Sequence, residues 1–158
     1  MFNPVEQSKD VLVATLATDA AGRTSTYVSL KDYAGAEVTA YITQANAATI
    51  LLSLLQATAV AGTGSKAGPA VPVYANLDVA TSDALVRATD AATYTTDAGT
   101  TNKIVKFIVS VAALDTNNGF DCIALSTGAS NLANLTAIMI RGINPRNPQG
   151  TPPTMRTN

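Results

Sequence analysis

Apolar and polar side chains alternate with a period of two along much of the chain, which is the signature of half-buried β-strands. In Glu37-Val38-Thr39-Ala40-Tyr41-Ile42-Thr43, Val38, Ala40 and Ile42 fall on one face and Glu37, Thr39 and Thr43 on the other. Thr24 to Leu30 alternates similarly, with Val28 and Leu30 opposite Ser25 and Ser29. Lys103 to Val111 sets Val105, Phe107, Val109 and Val111 on one side and Lys106 and Ser110 on the other. Leu135 to Ile140 is apolar on both faces and reads as a central strand. Leu77 to Val79 and Leu85 to Ala88 are weaker strand candidates. The Leu and Ala content of Ala48 to Gln56 also suits a helix, but Gly62, Gly64 and Gly68 follow closely and its neighbours are strands, so it is read as a strand.

Turn signals separate these runs at Asp32-Tyr33-Ala34-Gly35, Gly62 to Pro69, Asp97-Ala98-Gly99, Asn117-Asn118-Gly119 and Thr127-Gly128. About eight short strands so punctuated predict an all-β fold, a jelly-roll-like β-sandwich with extended N- and C-terminal arms. The sandwich body is expected over residues 21–143. Residues 1–20 form an N-terminal arm or short helix, in which Asn3-Pro4-Val5-Glu6 carries the helix-start signals of an Asn cap, Pro at the first position and Glu three residues on. Residues 144–158 hold much of the proline, which excludes a central strand and predicts a C-terminal arm.

Composition narrows the chemistry. The chain has 158 residues, 47% of them hydrophobic and only 13% charged, with a net charge of -1. Its polar surface therefore comes mostly from Thr, Ser, Asn and Gln, and it has no field for capturing nucleic acid or an anionic membrane. The sequence contains no His, the commonest general base and zinc ligand. The single cysteine, Cys122, rules out an internal disulfide and lies in an apolar run that predicts a buried, unreactive role. No apolar run is long enough to span a bilayer, and the N-terminus does not read as a Sec signal peptide.

The motifs that suggest chemistry fail on inspection. Gly62-x-Gly64-x-x-Ala67 matches the Ala-ended dinucleotide fingerprint, but Gly68-Pro69 and Val71-Pro72 forbid the helix that would hold pyrophosphate. Ser65-Lys66 reverses the order a Walker A loop requires, and as neighbours in an extended loop the two point apart. Asp115 to Asp121 resembles a calcium loop with the wrong spacing, and Ser126 occupies the place of the bidentate Glu; Asn118-Gly119 reads instead as a hairpin or tight turn. Asp78, Asp83, Asp90 and Asp97 are scattered through a loop-rich stretch, as solvated carboxylates are. Asn134-Leu135-Thr136 matches a glycosylation acceptor at the entry to a central strand, where it reads as accidental. No catalytic, cofactor or metal site is expected.

Four segments resemble small virion structural proteins of tailed bacteriophages: Leu55-Gln56-Ala57-Thr58 followed by Gly62-Thr63-Gly64-x-Lys66-Ala67; Thr95 to Val105; Ala113-Leu114-Asp115 with Gly119-Phe120-Asp121-Cys122; and Arg146 through Thr151-Pro152-Pro153. The resemblance spans roughly residues 24 to 153, with Ala and Thr replacing more charged residues in places. It implies a decoration or cement protein, bound outside the major capsid protein shell and commonly a homotrimer. Such a chain is located on the virion capsid surface and assembled in the host bacterial cytoplasm. It needs no enzyme activity, no cofactor, and no direct nucleic-acid or membrane partner. Candidate capsid or subunit contacts are Phe2 and Pro4 near the start, Lys66 and Pro69 in the glycine-rich loop, and Arg141, Pro145, Arg146, Pro148, Pro152 and Pro153 towards the end. Alternative readings are a tail-tube, head–tail joining or fibre-base component, and a carbohydrate-binding or adhesion module. The module is disfavoured by the absence of Trp.

Overall fold

The computed structural model describes residues 3–146 and 151–158. The expected helix start holds: Asn3 caps a single turn, α1 (Pro4–Gln7), its side chain accepting from the Val5 amide. The chain then extends directly as β1 (Ser8–Thr18), with Val11 and Val13 turned into the core.

The remaining strands are β2 (Arg23–Thr24), β3 (Val28–Ser29), β4 (Tyr33–Gln44), β5 (Leu51–Ala57), β6 (Lys66–Ala67), β7 (Val73–Asn76), β8 (Val86–Arg87), β9 (Thr93–Thr95), β10 (Asn102–Ser110), β11 (Cys122–Thr127) and β12 (Asn134–Pro145). They form two antiparallel sheets. Sheet I runs β1-β12-β4-β10-β7-β8; sheet II runs β2-β11-β5-β6, with β3 also pairing β11 and β9 pairing β5. Taking β2 with β3 and β6 with β9, the chain supplies eight runs. Sheet I takes the first, eighth, third and sixth and sheet II the second, seventh, fourth and fifth, the rolled order of a jelly roll. The connection between β6 and β9 crosses over to add β7 and β8 to sheet I. The fold is a jelly-roll-like β-sandwich.

The core follows the alternation. Val38, Ala40 and Ile42 of β4 lie against Val105 and Phe107 of β10 and Ile138 and Ile140 of β12 on the inner face of sheet I. Leu52, Leu54, Ile123 and Leu125 face them from sheet II. β12 is central, between β1 and β4, as its two-sided apolar pattern requires.

Two expectations are corrected and a third is narrowed. Leu77 to Val79 is not a strand: β7 ends at Asn76, and Asp78 builds a turn by accepting from the Ala80 amide and the Thr81 hydroxyl. Thr24 to Leu30 is broken into β2 and β3, and Ser25 and Ser29 are buried rather than solvent-facing: the Ser25 hydroxyl accepts from the Leu125 amide, and the Ser29 amide donates to the Met155 carbonyl of the C-terminal segment. Asn118-Gly119 makes a tight turn but no hairpin. Gly119 takes φ 81 after a 3-10 turn over Thr116–Asn118, and the strands on either side, β10 and β11, belong to different sheets.

Two polar clusters tie the layers. Asp19, fully buried after β1, accepts from Thr127 Oγ1 of β11 at 2.8 Å and Thr136 Oγ1 of β12 at 2.5 Å, and faces Arg23 Nε at 3.5 Å. Lys103 lies on the inward side of β10, and its buried ammonium binds the Gly99 carbonyl, Thr101 Oγ1 at 2.9 Å and Asp97 Oδ1 at 3.1 Å, fixing the loop before the strand.

Residues 151–158 lie on the body of their own chain. Met155 is fully buried, its carbonyl accepts from the Ser29 amide, and Tyr33 donates its hydroxyl to the Pro153 carbonyl. Gly142 makes the room: a Cβ there would stand 2.7 Å from Met155 Sδ and 2.8 Å from the Tyr33 ring.

Candidate interaction face

The outer faces of the two sheets differ. Sheet II carries Ser53, Leu55 and Ser126 half-buried on its outer side, with Ala57 and Ala124 fully covered and Leu51 at its end 43% exposed. Sheet I presents three cross-strand rows whose character changes from end to end. The first joins Ala137 of β12, Tyr41 of β4 and Ile104 of β10, with Leu16 of the irregular edge strand β1 beside them. The second joins Leu12, Met139, Thr39 and Lys106. The third joins Asp10, Arg141, Glu37 and Ile108. Leu12 is 53% exposed, Leu16 55% and Tyr41 41%, so this face leaves large apolar side chains in water that the fold does not need there.

A shallow recess of about 320 Å³ runs along the first row between Leu16, Tyr41, Ile104 and Val79. It continues past Val79 and Ile104 into a second of about 340 Å³, bounded by Leu85.

The charges on this face are paired within it. Arg141 grips Asp10 with two nitrogens, at 2.6 and 3.3 Å, and Lys106 Nζ lies 2.7 Å from Glu37 Oε1. The Asp10 carboxylate raises the pKa of the Arg141 guanidinium further, so Arg141 stays charged. Exposed pairs of this kind add little stability, about 0–1 kcal/mol each. Their effect is to leave two cations and two anions cancelled.

The expected contact residues fall into two groups. Pro4, Arg141 and Pro152 meet at one recess of about 480 Å³, together with Lys9 and Asp10. Pro145 and Pro153 are close by through Tyr33, which pairs with the first and donates to the second, and the Arg146 amide donates to the Asp32 carbonyl. Lys66 and Pro69 are elsewhere, on and after β6 of sheet II. Lys66 lies over the Phe120 ring at 3.8 Å and pairs with Asp115 at 2.5 Å; its ammonium and the Asn118 amide hold the Asp115 carboxyl below its usual range. Phe2 and Pro148 lie outside the described residues.

The glycine-rich loop returns β5 onto β6: Gly62 and Gly64 take φ 80 and 64, and the Thr58 amide donates to the Thr63 carbonyl. The Ser65 hydroxyl is bonded to the Tyr27 hydroxyl, away from Lys66. Asp90 pairs with Arg87 and Asp97 with Lys103, so neither carboxylate stands ready beside a second one. Asn134 is fully buried and its side-chain amide donates to the Ala48 carbonyl and the Ser130 hydroxyl, which leaves it inaccessible to a glycosyltransferase. Among the described residues, no three His, Cys, Asp or Glu side chains are grouped to hold a metal ion. Burial pushes the Cys122 thiol up to about 12, helped by its hydrogen bond to the Asp121 carboxylate.

Sequence reasoning did not find Leu12, Leu16, Tyr41 or Ile104. The signal was present in one place: Tyr41 sits between Thr39 and Thr43 on the polar side of its strand.

The sequence matches no established family pattern and none of the curated proteins. Among solved structures, the SPBc2 prophage-derived protein YomS superposes with a TM-score of 0.47 at 10% identity, over 85% of this chain and 91% of that one. The PRD1 vertex protein P5 superposes with a TM-score of 0.38 at 9% identity, over 89% and 99%.

Proposed function

We propose that this chain is a non-enzymatic structural protein of a tailed-phage virion, of the decoration or cement type, seated on the outside of the major-capsid shell. The observation that carries the reading is the outer face of sheet I: large apolar side chains in register on a rigid sheet, with their neighbouring charges cancelled. Such a surface suits permanent association with protein, and it offers no convergent polar groups for a small substrate. The segments that resemble phage virion proteins point the same way. A cement protein works by shape and adhesion, and many modest contacts on a symmetric lattice add up to high avidity.

Within this reading, the end of the sandwich that gathers Pro4, Arg141, Arg146 and Pro153 at the surface, over the buried Pro145 and Pro152, is the candidate shell contact. It joins stiff proline backbone to two guanidinium groups, of which Arg146 has an exposed side chain. Lys66 and Pro69 are placed to reach a different neighbour. Particles assembled without the chain are expected to form but to release their DNA at a lower temperature than complete particles. Identical heat-release curves for the two preparations would refute the stabilising role.

A further inference from the structure

We infer that the outer face of sheet I is covered by the same face of a second copy of this chain, as a two-fold, sheet-on-sheet pair.

Size is the first argument. The four long strands β1, β12, β4 and β10, spaced about 4.8 Å apart and paired over some nine residues of about 3.3 Å each, present roughly 19 by 30 Å, or about 570 Å². A standard protein interface takes about 800 Å² from each partner. The four-strand face therefore supplies most of what a stable pair requires, and the exposed Val79 and Leu85 beyond Ile104 extend it.

Charge is the second. Asp10 with Arg141 and Glu37 with Lys106 neutralise each other on the face, and the chain as a whole carries only -1. Two identical faces brought together meet no net repulsion, whereas a strongly charged partner would find nothing to complement.

Arrangement is the third. The apolar side chains, Leu16, Tyr41 and Ile104 of the first row and Leu12 and Met139 of the second, lie to one side of the third row with its Asp10, Arg141 and Glu37, and Lys106 at the β10 end of the second row reaches across to Glu37. A two-fold axis through the apolar rows puts them at the centre and the ion pairs at two opposite margins. That is the apolar core and polar rim of a protein interface. Two twisted sheets packed in this way lie about 10 Å apart with their strands nearly aligned. A two-fold pair is also the commonest closed assembly. It differs from the trimer that the phage resemblance implies.

The pairing rests on the face and not on the virion reading. A chain that pairs but leaves particle heat resistance unchanged keeps the first and loses the second.

Sedimentation equilibrium of the purified chain tests it. Expected is a species of twice the 16.2 kDa chain mass. Tyr41→Lys alone and Leu12→Lys alone should each raise the dissociation constant about 30-fold or more, as loss of a central contact does. Circular dichroism should show both variants folded, since both positions lie on the outer side of the sheet, outside the core. Leu51→Lys, an equally exposed apolar position on sheet II at 43%, should leave the pair intact. A wild-type mass of one or three chains would overturn the inference. So would a pair that survives both sheet I substitutions, or one that Leu51→Lys breaks equally.

Discussion

At the scale of single residues, the least replaceable side chains hold the two ends of the chain to the body. Met155 lies three residues from the end of the sequence yet is fully buried, in a space that Gly142 leaves open. Met155→Ala is expected to cost about 2–5 kcal/mol, the range for emptying a core site. Urea denaturation of the two proteins measures it, and an unchanged midpoint would mean that the tail does not seal the core. Cys122 behaves oppositely with pH. Its thiol is raised from an ordinary 9.0 to about 12, so the folded chain holds that proton where the unfolded chain releases it. The resulting stabilisation is complete below pH 9 and disappears as pH rises towards 12. Between pH 8 and 11 wild-type stability should therefore fall more steeply than that of Cys122→Ala, and parallel curves would contradict the assignment. The burial of Cys122 was legible in the sequence, because a lone cysteine inside an apolar run has few other roles. The burial of Met155 was not, because a methionine among Pro, Thr and Arg gives no periodic signal.

At the scale of elements, the strands that alternation located are those with one wet and one dry face, while β12 and β5 were read from dense apolar runs. β4 and β10 show period two because their outward positions carry Glu37, Thr39, Thr43 and Lys106. β1 escaped because Leu12 and Leu16 sit on its outward side and erase the alternation. The feature that hid the strand is the feature that makes its face adhesive. The short strands β2, β3, β6, β8 and β9 were mostly illegible for another reason: each is two or three residues long and exists only through its partner. Sheet-to-sheet ties were equally hidden, since Asp19, Thr127 and Thr136 meet across more than 100 residues of sequence. Asp19→Ala removes the acceptor of the buried Thr127 and Thr136 hydroxyls and the carboxylate facing Arg23, which keeps its bonds to the Thr15, Ala17 and Thr136 carbonyls, and a loss of about 1–3 kcal/mol is expected. Thermal unfolding reads it; a melting temperature equal to that of the wild type would show that the cluster is not a structural tie.

At the scale of the whole molecule, the fold class could be read from the spacing of strands and turns, and the rolled order of the two sheets accounts for why neighbours in sequence alternate between layers. The site was only partly legible. Proline and arginine near the C-terminus marked one end of the sandwich, where Pro4, Arg141 and Pro152 do converge. The apolar face of sheet I was invisible because its members come from four strands and a loop and acquire meaning only in register. Taken together, a rigid sandwich, a neutral adhesive face and a proline-rich end describe a part made to be attached. A cryo-EM map of the complete virion tests that claim most directly. It should show this sandwich in density on the outer surface of the capsid shell, with the Pro4–Pro152 end towards the major capsid protein. Density for it in the tail tube, at the head–tail joint or at a fibre base, or a virion that lacks it altogether, would contradict the account.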